Sequence, residues 1–503
     1  MTNNKKIPRV YHTLLFSIFP ILFLFSANIN SLNYEEVIFP LIVVPIVVLG
    51  MWAALNFILK NKLKAGLIIS LGIVLFFSYG HIHNILLESE LVSDISRHRY
   101  LLLPFFTAFI IGTIYFVKTK RLLNNATTIT NGISFALVIM TLVSIGSFGF
   151  ADTSLKLENQ ETNLQEIQNK ANLPDIYYII LDGYAGAEIL RDVYDFDNTE
   201  FISFLKQNNF YVIENAHSNY AITSLSLSSS LNMNYLDSII EELLPDNRSI
   251  HPINQIISNN KVMRDLKTLG YEIVVLASSQ KYTTDLEVAD TILCEEFNTW
   301  STEFNVNLVK TSILKPIYVM LFETHRDKIE CSLDTLLNVS EQFDVPIVVW
   351  AHLLLPHPPY LFGPNGEHVE SDTIEITDSW GDGVGYINQV MFANKKMTEF
   401  VESVKNNETQ PIILIQGDHG SGGASFTGLT DEKIRQRMTI LSSMHLPGEI
   451  EFIPYDGITP VNSFRLIFNN YFDTNYEFLP DKSYFGNHKN PYDLKNVTEI
   501  LQE

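Results

Sequence analysis

"DIYYIILDGYAG", residues 175–186, decides how the rest of the chain reads. Ile176–Leu181 is an unbroken apolar run rich in β-branched and aromatic side chains. A strand with one wet face alternates polar and apolar residues, whereas a strand buried on both faces reads as a continuous run. The run stops on Asp182-Gly183. A carboxylate there is either the start of an ordinary turn or a ligand at the edge of a sheet.

Three more runs of the same kind follow: "YEIVVLA" (271–277), "VPIVVWAHL" (345–353) and "PIILIQ" (411–416). Amphipathic segments lie between them. "NQIISNNKVMRDLKTLG" (254–270) ends on a glycine, a helix stop just before a strand, and "YINQVMFANKKMTEFVESV" (386–404) is a second helix feeding a strand. Helix and strand in alternation predict an α/β domain with a mostly parallel central sheet. Ligand sites in such sheets lie beyond the carboxyl ends of the strands.

Those ends carry Asp182, the adjacent Asp418 and His419 in "GDHGSGG", and His352 and His357 in "HLLLPHPPY". Carboxylates and imidazoles together suit one divalent cation, with Mn, Zn and Mg all open. Asp418 and His419 reach one ion only from a sharp turn, which Gly417 and Gly420 would allow. Singly, each residue has a plainer reading: a turn for Asp182, a solvated loop for Asp418-His419, a core or supporting place for His352, a proline-rich turn for His357. Their convergence on one sheet edge favours a site. "NYAITSLSLSSSLNMNYL" (219–236) offers Thr223, Ser224, Ser226, Ser228, Ser229 and Ser230. The stretch alone does not choose among these hydroxyls, and Thr223 is also a plausible helix N-cap.

The first 150 residues are of another kind. Apolar segments at Val10–Ala27, Val37–Leu59, Ala65–Leu87, Leu101–Val117 and Ile129–Phe150 each approach the roughly 20 residues that cross a bilayer. They predict a transmembrane domain of five helices over 1–150, a polar linker over 151–172 and an outer domain over 173–503. The N-terminal flank and the second-to-third and fourth-to-fifth loops hold Lys5, Lys6, Arg9, Lys60, Lys62, Lys64, Lys118, Lys120 and Arg121, and no acidic residue. Basic loops stay in the cytoplasm. The expectation is therefore a multi-pass cell-membrane protein with its N-terminus inside and everything after the fifth helix extracytoplasmic. The chain carries a net charge of −22. Residues 1–150 hold 11 Lys and Arg against 5 Asp and Glu, so the remainder is more acidic still, at −28. That excludes nucleic acid as a partner. Cys294 and Cys331 are the only cysteines. An oxidising compartment permits a bridge, and two separate thiols remain the alternative.

In their order, "DIYYIILDGY", the hydroxyl-rich stretch, "HLLLPHPPYLF" and "GDHG" resemble the alkaline-phosphatase superfamily, and within it the sulfatase-like membrane enzymes. Membrane helices followed by an outer domain are similar to lipoteichoic acid synthases and lipid A phosphoethanolamine transferases, and "GITPVNSFRLIFNNYF" (457–472) has the same flavour. The resemblance implies Asp182, Thr223, Asp418 and His419 as metal ligands and Thr223 as nucleophile. It further implies His357 as a catalytic group that binds the transferred moiety. His352 and Arg437 are further candidates for substrate contact, beside Arg435 and Arg465. It also implies a phospholipid donor and an envelope glycan or lipid acceptor. This chain departs from the family at three points. Thr223 is not followed by the Pro and Arg of a Cys-x-Pro-x-Arg sulfatase loop, which disfavours sulfate-ester hydrolysis. No Asp-x-x-x-His element precedes "GDHG", which favours one metal over two. Ser421 follows "DHG" where the transferases usually carry Glu. Two alternatives stay open: a phosphatase or sulfatase that gives its ester to water, and a degenerate sensor or assembly protein.

Overall fold

The computed structural model describes residues 7–29, 34–88, 98–147, 173–243, 250–295, 303–317, 319–369, 380, 383–405, 407 and 409–502. The expected linker 151–172 lies outside them. The chain divides into two compact units, Met1–Ala151 with Trp300–Phe322, and Asp152–Thr299 with Glu323–Glu503.

The first unit holds α1 (His12–Ala27), α2 (Tyr34–Leu59), α3 (Lys62–Glu88), α4 (His98–Lys118) and α5 (Asn124–Ser147). α2 to α5 are long and apolar enough to cross a membrane, and α1 is a shorter apolar helix. Hydrogen bonds at both ends show how α1 lies. The amides of Tyr11 and His12 donate to Asn131 Oδ1 (3.0 and 2.9 Å), and Ser26 donates to Ser144 (2.8 Å). α1 thus runs parallel to α5 over most of its length.

Residues 303–317 belong to this unit although the chain just before them, up to Thr299, belongs to the other. In the helix Glu303–Lys310, Phe304 is fully buried among Ile21, Phe25, Val37 and Ile145. Beyond it the backbone engages α3 directly. The Gly80 N–H donates to the Thr311 carbonyl (3.0 Å), and the Phe76 carbonyl accepts from the Ile313 N–H (2.8 Å). In a regular α-helix those two α3 groups bond to each other. Only glycine admits this approach, since a Cβ on residue 80 would lie 2.0 Å from the Lys310 carbonyl oxygen.

The second unit is built on a seven-stranded sheet. Its strands are β1 (Ile176–Leu181), β2 (Phe210–Val212), β3 (Glu272–Leu276), β4 (Thr291–Leu293), β5 (Ile347–Leu353), β6 (Ile412–Gln416) and β7 (Ser442–His445), in the order β2-β7-β6-β1-β5-β3-β4. β6, β1, β5, β3 and β4 are parallel, and β7 is antiparallel to both β6 and β2. The four apolar runs are the four adjacent central strands. β1 is buried along its whole length, as its lack of alternation requires. A small hairpin, β8 (Tyr484–Asn487) and β9 (Asn490–Asn496), lies outside the sheet. Register aims the site: Ile180 stands opposite His352 on β5 and Gln416 on β6, so Asp182 and Asp418 leave the sheet together at its carboxyl edge.

Cys294 and Cys331 are bonded, with 5.8 Å between their Cα atoms. The bridge ties the end of β4 to the helix Val319–Leu336.

Candidate active site

Three strand ends and one helix start meet at this edge. Asp182 follows β1, His352 is the last residue but one of β5, Asp418 and His419 follow β6, and Thr223 is the first residue of the helix Thr223–Asn232. One ligand atom each from Asp182, Asp418 and His419 lies within 4.8 Å of the others, and all three residues are buried. His419 Nε2 is 3.1 Å from Thr223 Oγ1, 3.3 Å from Asp418 Oδ2 and 3.6 Å from Asp182 Oδ1. His352 Nε2 lies 3.4 Å from Asp182 Oδ2.

The second nitrogen of His419 settles its proton. Nδ1 is 2.8 Å from the Gly420 carbonyl, which only accepts, so Nδ1 carries the hydrogen and Nε2 presents a lone pair toward the carboxylates. His352 Nδ1 is held 3.0 Å from the Thr283 hydroxyl. Asp182 Oδ1 and Oδ2, Asp418 Oδ2 and His352 Nε2 are buried with no hydrogen bond. Buried acceptors clustered without a donor are costly unless a cation sits among them. The residues present therefore fit a divalent metal ion.

The charges agree. Burial alone would push Asp182 up, but the imidazoles of His357 and His352 outweigh it and hold the carboxyl below its usual range. Burial, and then the Asp182 charge, push Asp418 up to about 6. Burial, and then the Arg437 charge, hold His419 well below the imidazole range, which keeps it a neutral ligand.

The supporting residues follow from close packing. A Cβ at Gly417 would lie 2.6 Å from the Tyr184 carbonyl oxygen, and one at Gly420 would lie 2.3 Å from that of Gln436. These glycines are required for space, since neither has a positive φ. The serines after Thr223 hold its helix in place. Ser226 donates to the Asp418 carbonyl (2.7 Å), Ser228 to that of Ile253 (3.0 Å) and Ser229 to that of Asn234 (2.8 Å), while Ser230 bonds Tyr178 (3.2 Å).

Arg437 is buried, with Nε on the Ala221 carbonyl (2.8 Å) and Nη1 on that of Gly422 (2.5 Å), so it braces the backbone before Thr223 and after His419. Arg465 bonds the Met233 and Glu477 carbonyls away from the cluster, and Arg435 is half-buried. His357 is half-buried and donates from Nδ1 to the Pro358 carbonyl (2.5 Å). Its ring meets Trp380 edge to face at 5.1 Å. Trp380 lies against Gly183, where φ is +75° and a Cβ would lie 2.4 Å from the indole. Trp380 was not foreseen: it stands alone in "TDSWGDG", with no strand end beside it.

No family model matches the chain, and neither does any curated protein. Among solved structures it is similar to the C-terminal periplasmic domain of EptC from Escherichia coli in complex with Zn, with 12% identity over 68% of this chain and 98% of that one, at a TM-score of 0.43. It is also similar to the integral membrane protein lipooligosaccharide phosphoethanolamine transferase A from Neisseria meningitidis, with 12% identity over 86% and 88% of the two chains and a TM-score of 0.34. A protein in the alkaline phosphatase superfamily from Vibrio parahaemolyticus is similar with 11% identity over 65% and 76%, at 0.38.

Proposed function

We propose that this chain is a membrane-anchored, metal-dependent transferase. It moves a phosphoryl-linked group, of the phosphoglycerol or phosphoethanolamine type, from a phospholipid donor to an envelope glycan or lipid. The observation that carries this reading is the placement of one hydroxyl. Thr223 Oγ1 opens a helix and lies 3.1 Å from His419 Nε2, beside two buried carboxylates of which Asp182 Oδ1, Asp182 Oδ2 and Asp418 Oδ2 accept no hydrogen bond.

Asp182, Thr223, Asp418 and His419 would hold the cation. A divalent ion there lowers the cost of ionising the threonine hydroxyl and offsets charge on the phosphoryl oxygens. Thr223 Oγ1 attacks phosphorus, the bond to the lipid oxygen breaks, and the lipid leaves as an alcohol after taking a proton. The acceptor hydroxyl then attacks the phospho-threonine, the Thr223 oxygen–phosphorus bond breaks, and the acceptor's proton is released. The first helical turn aims its backbone N–H groups at this anionic centre. His357 Nε2 hydrogen-bonds the transferred group, His352 orients Asp182, and Arg437 is a positioning residue.

The outward-facing expectation rests on the basic loops and on α1 running parallel to α5, which gives an odd number of crossings. Thr223→Ala should abolish transfer of label from a headgroup-labelled phospholipid, by at least about 10³-fold, and should leave the fold unchanged by circular dichroism. Full metal-dependent transfer by that variant would sink the reading. Label released to water instead of acceptor would favour the phosphatase alternative.

A further inference from the structure

We infer that Trp380 is the residue that decides between an alcohol and water at this site: its indole covers the phospho-threonine and keeps water from it. The inference rests on the transferase reading and deepens it, since it names what would separate a transferase from a phosphatase built on the same ligands.

Trp380 precedes the helix Gly383–Val404 and is half-buried. Its indole spans the two loops that carry the cluster. One end, at Cη2, packs on Gly183, the residue after Asp182, so closely that a Cβ there would lie 2.4 Å away. The opposite end, at Cδ1, lies 4.0 Å from where a Cβ on Gly423 would stand, in the loop after His419. Between those ends the ring meets three site residues. The His357 and His419 rings stand edge to face with it, their centroids 5.1 and 6.3 Å away, and the Arg437 guanidinium lies over it at 5.8 Å. His419 is the imidazole 3.1 Å from Thr223 Oγ1, so a single ring separates the indole from the nucleophile.

Holding the fold does not account for this placement. The backbone around Gly183 is already braced by Tyr386, which is fully buried. The Tyr386 hydroxyl donates to the Gly183 carbonyl (2.9 Å) and accepts from the Ala185 N–H (3.1 Å). Trp380 contributes shape instead, a broad apolar plate among carboxylates, imidazoles and a guanidinium.

The chemistry gives that plate a task. A covalent intermediate on Thr223 can be taken by the acceptor's hydroxyl or by water. Water would attack the same phosphorus, break the bond to Thr223 Oγ1 and free the headgroup as a phosphate monoester. One water proton would stay on the monoester, and the other would be released as the acceptor's is. Metal, carboxylates and imidazoles cannot tell the two oxygens apart, because both carry a hydroxyl of similar reactivity. An apolar surface can, since it excludes bulk water from the reacting centre. An acceptor that lays its C–H surface on the indole displaces that water and has its hydroxyl oriented by the contact.

The test uses the full chain in detergent, loaded with Mn²⁺. Phosphatidylglycerol and phosphatidylethanolamine, labelled in the headgroup, are the donors, and octyl glucoside is the alcohol. The readout is the ratio of label on the alcohol to label released as monoester. Trp380→Ala should lower that ratio at least about tenfold. Trp380→Phe keeps part of the plate and should lower it about threefold. With no alcohol present, label held covalently on the chain should decay at least about tenfold faster in Trp380→Ala. An unchanged ratio with an unchanged decay in Trp380→Ala would overturn the inference. So would slower consumption of donor at an unchanged ratio, which is what a merely structural role would give. Both outcomes leave the transferase reading standing. Full transfer by Thr223→Ala, or a wild-type chain that consumes neither donor, would sink that reading and the inference with it.

Discussion

His419 Nδ1 donates to the carbonyl of the next residue, and that short bond turns Nε2 toward Thr223, Asp418 and Asp182. The pair of carboxylates beside it splits in behaviour. Asp182 stays ionised, while Asp418 is raised from its ordinary value of 3.8 to about 6. A carboxyl raised on folding binds more protons in the folded state, so the metal-free protein loses stability as pH rises from about 4 to about 6. Cation binding must expel that proton. Calorimetry in buffers of different ionisation heat should find about one proton released per metal near pH 5 and none near pH 8. Apparent affinity should rise about tenfold per unit up to roughly pH 6 and then level. A pH-independent affinity would show that Asp418 does not meet the ion. The candidate residues marked by the strand-end rule are Asp182, Asp418, His419, His352 and His357, because each stands near or just beyond the end of an apolar run. Trp380 could not be marked that way, since only folding sets it against Gly183 and His357.

At the scale of elements, the central strands are legible because burial on both faces removes the alternation that polar contact would impose. The edge strands β2 and β4, and β7 next to β2, are three or four residues long. Ser442–His445 has no apolar pattern of its own, and pairing with β6 decides its conformation. The segment 303–317 was equally hidden. Its helix is short, and its fit depends on a glycine far back in the chain. Gly80→Leu would drive a side chain into the Lys310 carbonyl, whereas Gly132 has nothing within 4 Å of a would-be Cβ. Gly80→Leu should therefore expose residues 303–317 to protease and lower stability by about 1–3 kcal/mol. Gly132→Leu should do neither. Equal protease patterns for the two variants would show that the segment does not engage α3.

Across the whole molecule, the decisive question is which side of a membrane each unit faces. Basic residues cluster in alternate loops, and α1 lies parallel to α5. The native cysteines are consumed in a disulfide, so introduced ones report cleanly. In intact cells a membrane-impermeant maleimide should label Thr427→Cys in the second unit. It should label Thr119→Cys, beyond the end of α4, only after lysis. The opposite pattern would invert the topology and remove the case for an envelope acceptor.

The sequence by itself determined what depends on local pattern and on composition. Apolar length announced the membrane helices, continuous apolar runs announced the central parallel strands, and Gly270 marked a helix end. Tertiary structure decided what depends on approach between distant segments. It joined Cys294 to Cys331, set Arg437 against backbone carbonyls, and turned Gly417 and Gly420 from turn residues into space-makers. It also set Thr223 Oγ1, among six neighbouring hydroxyls, 3.1 Å from His419 Nε2. The reason is geometric: a helix start fixes which hydroxyl meets that imidazole, and Ser226, Ser228, Ser229 and Ser230 find carbonyl or hydroxyl partners within the packed domain.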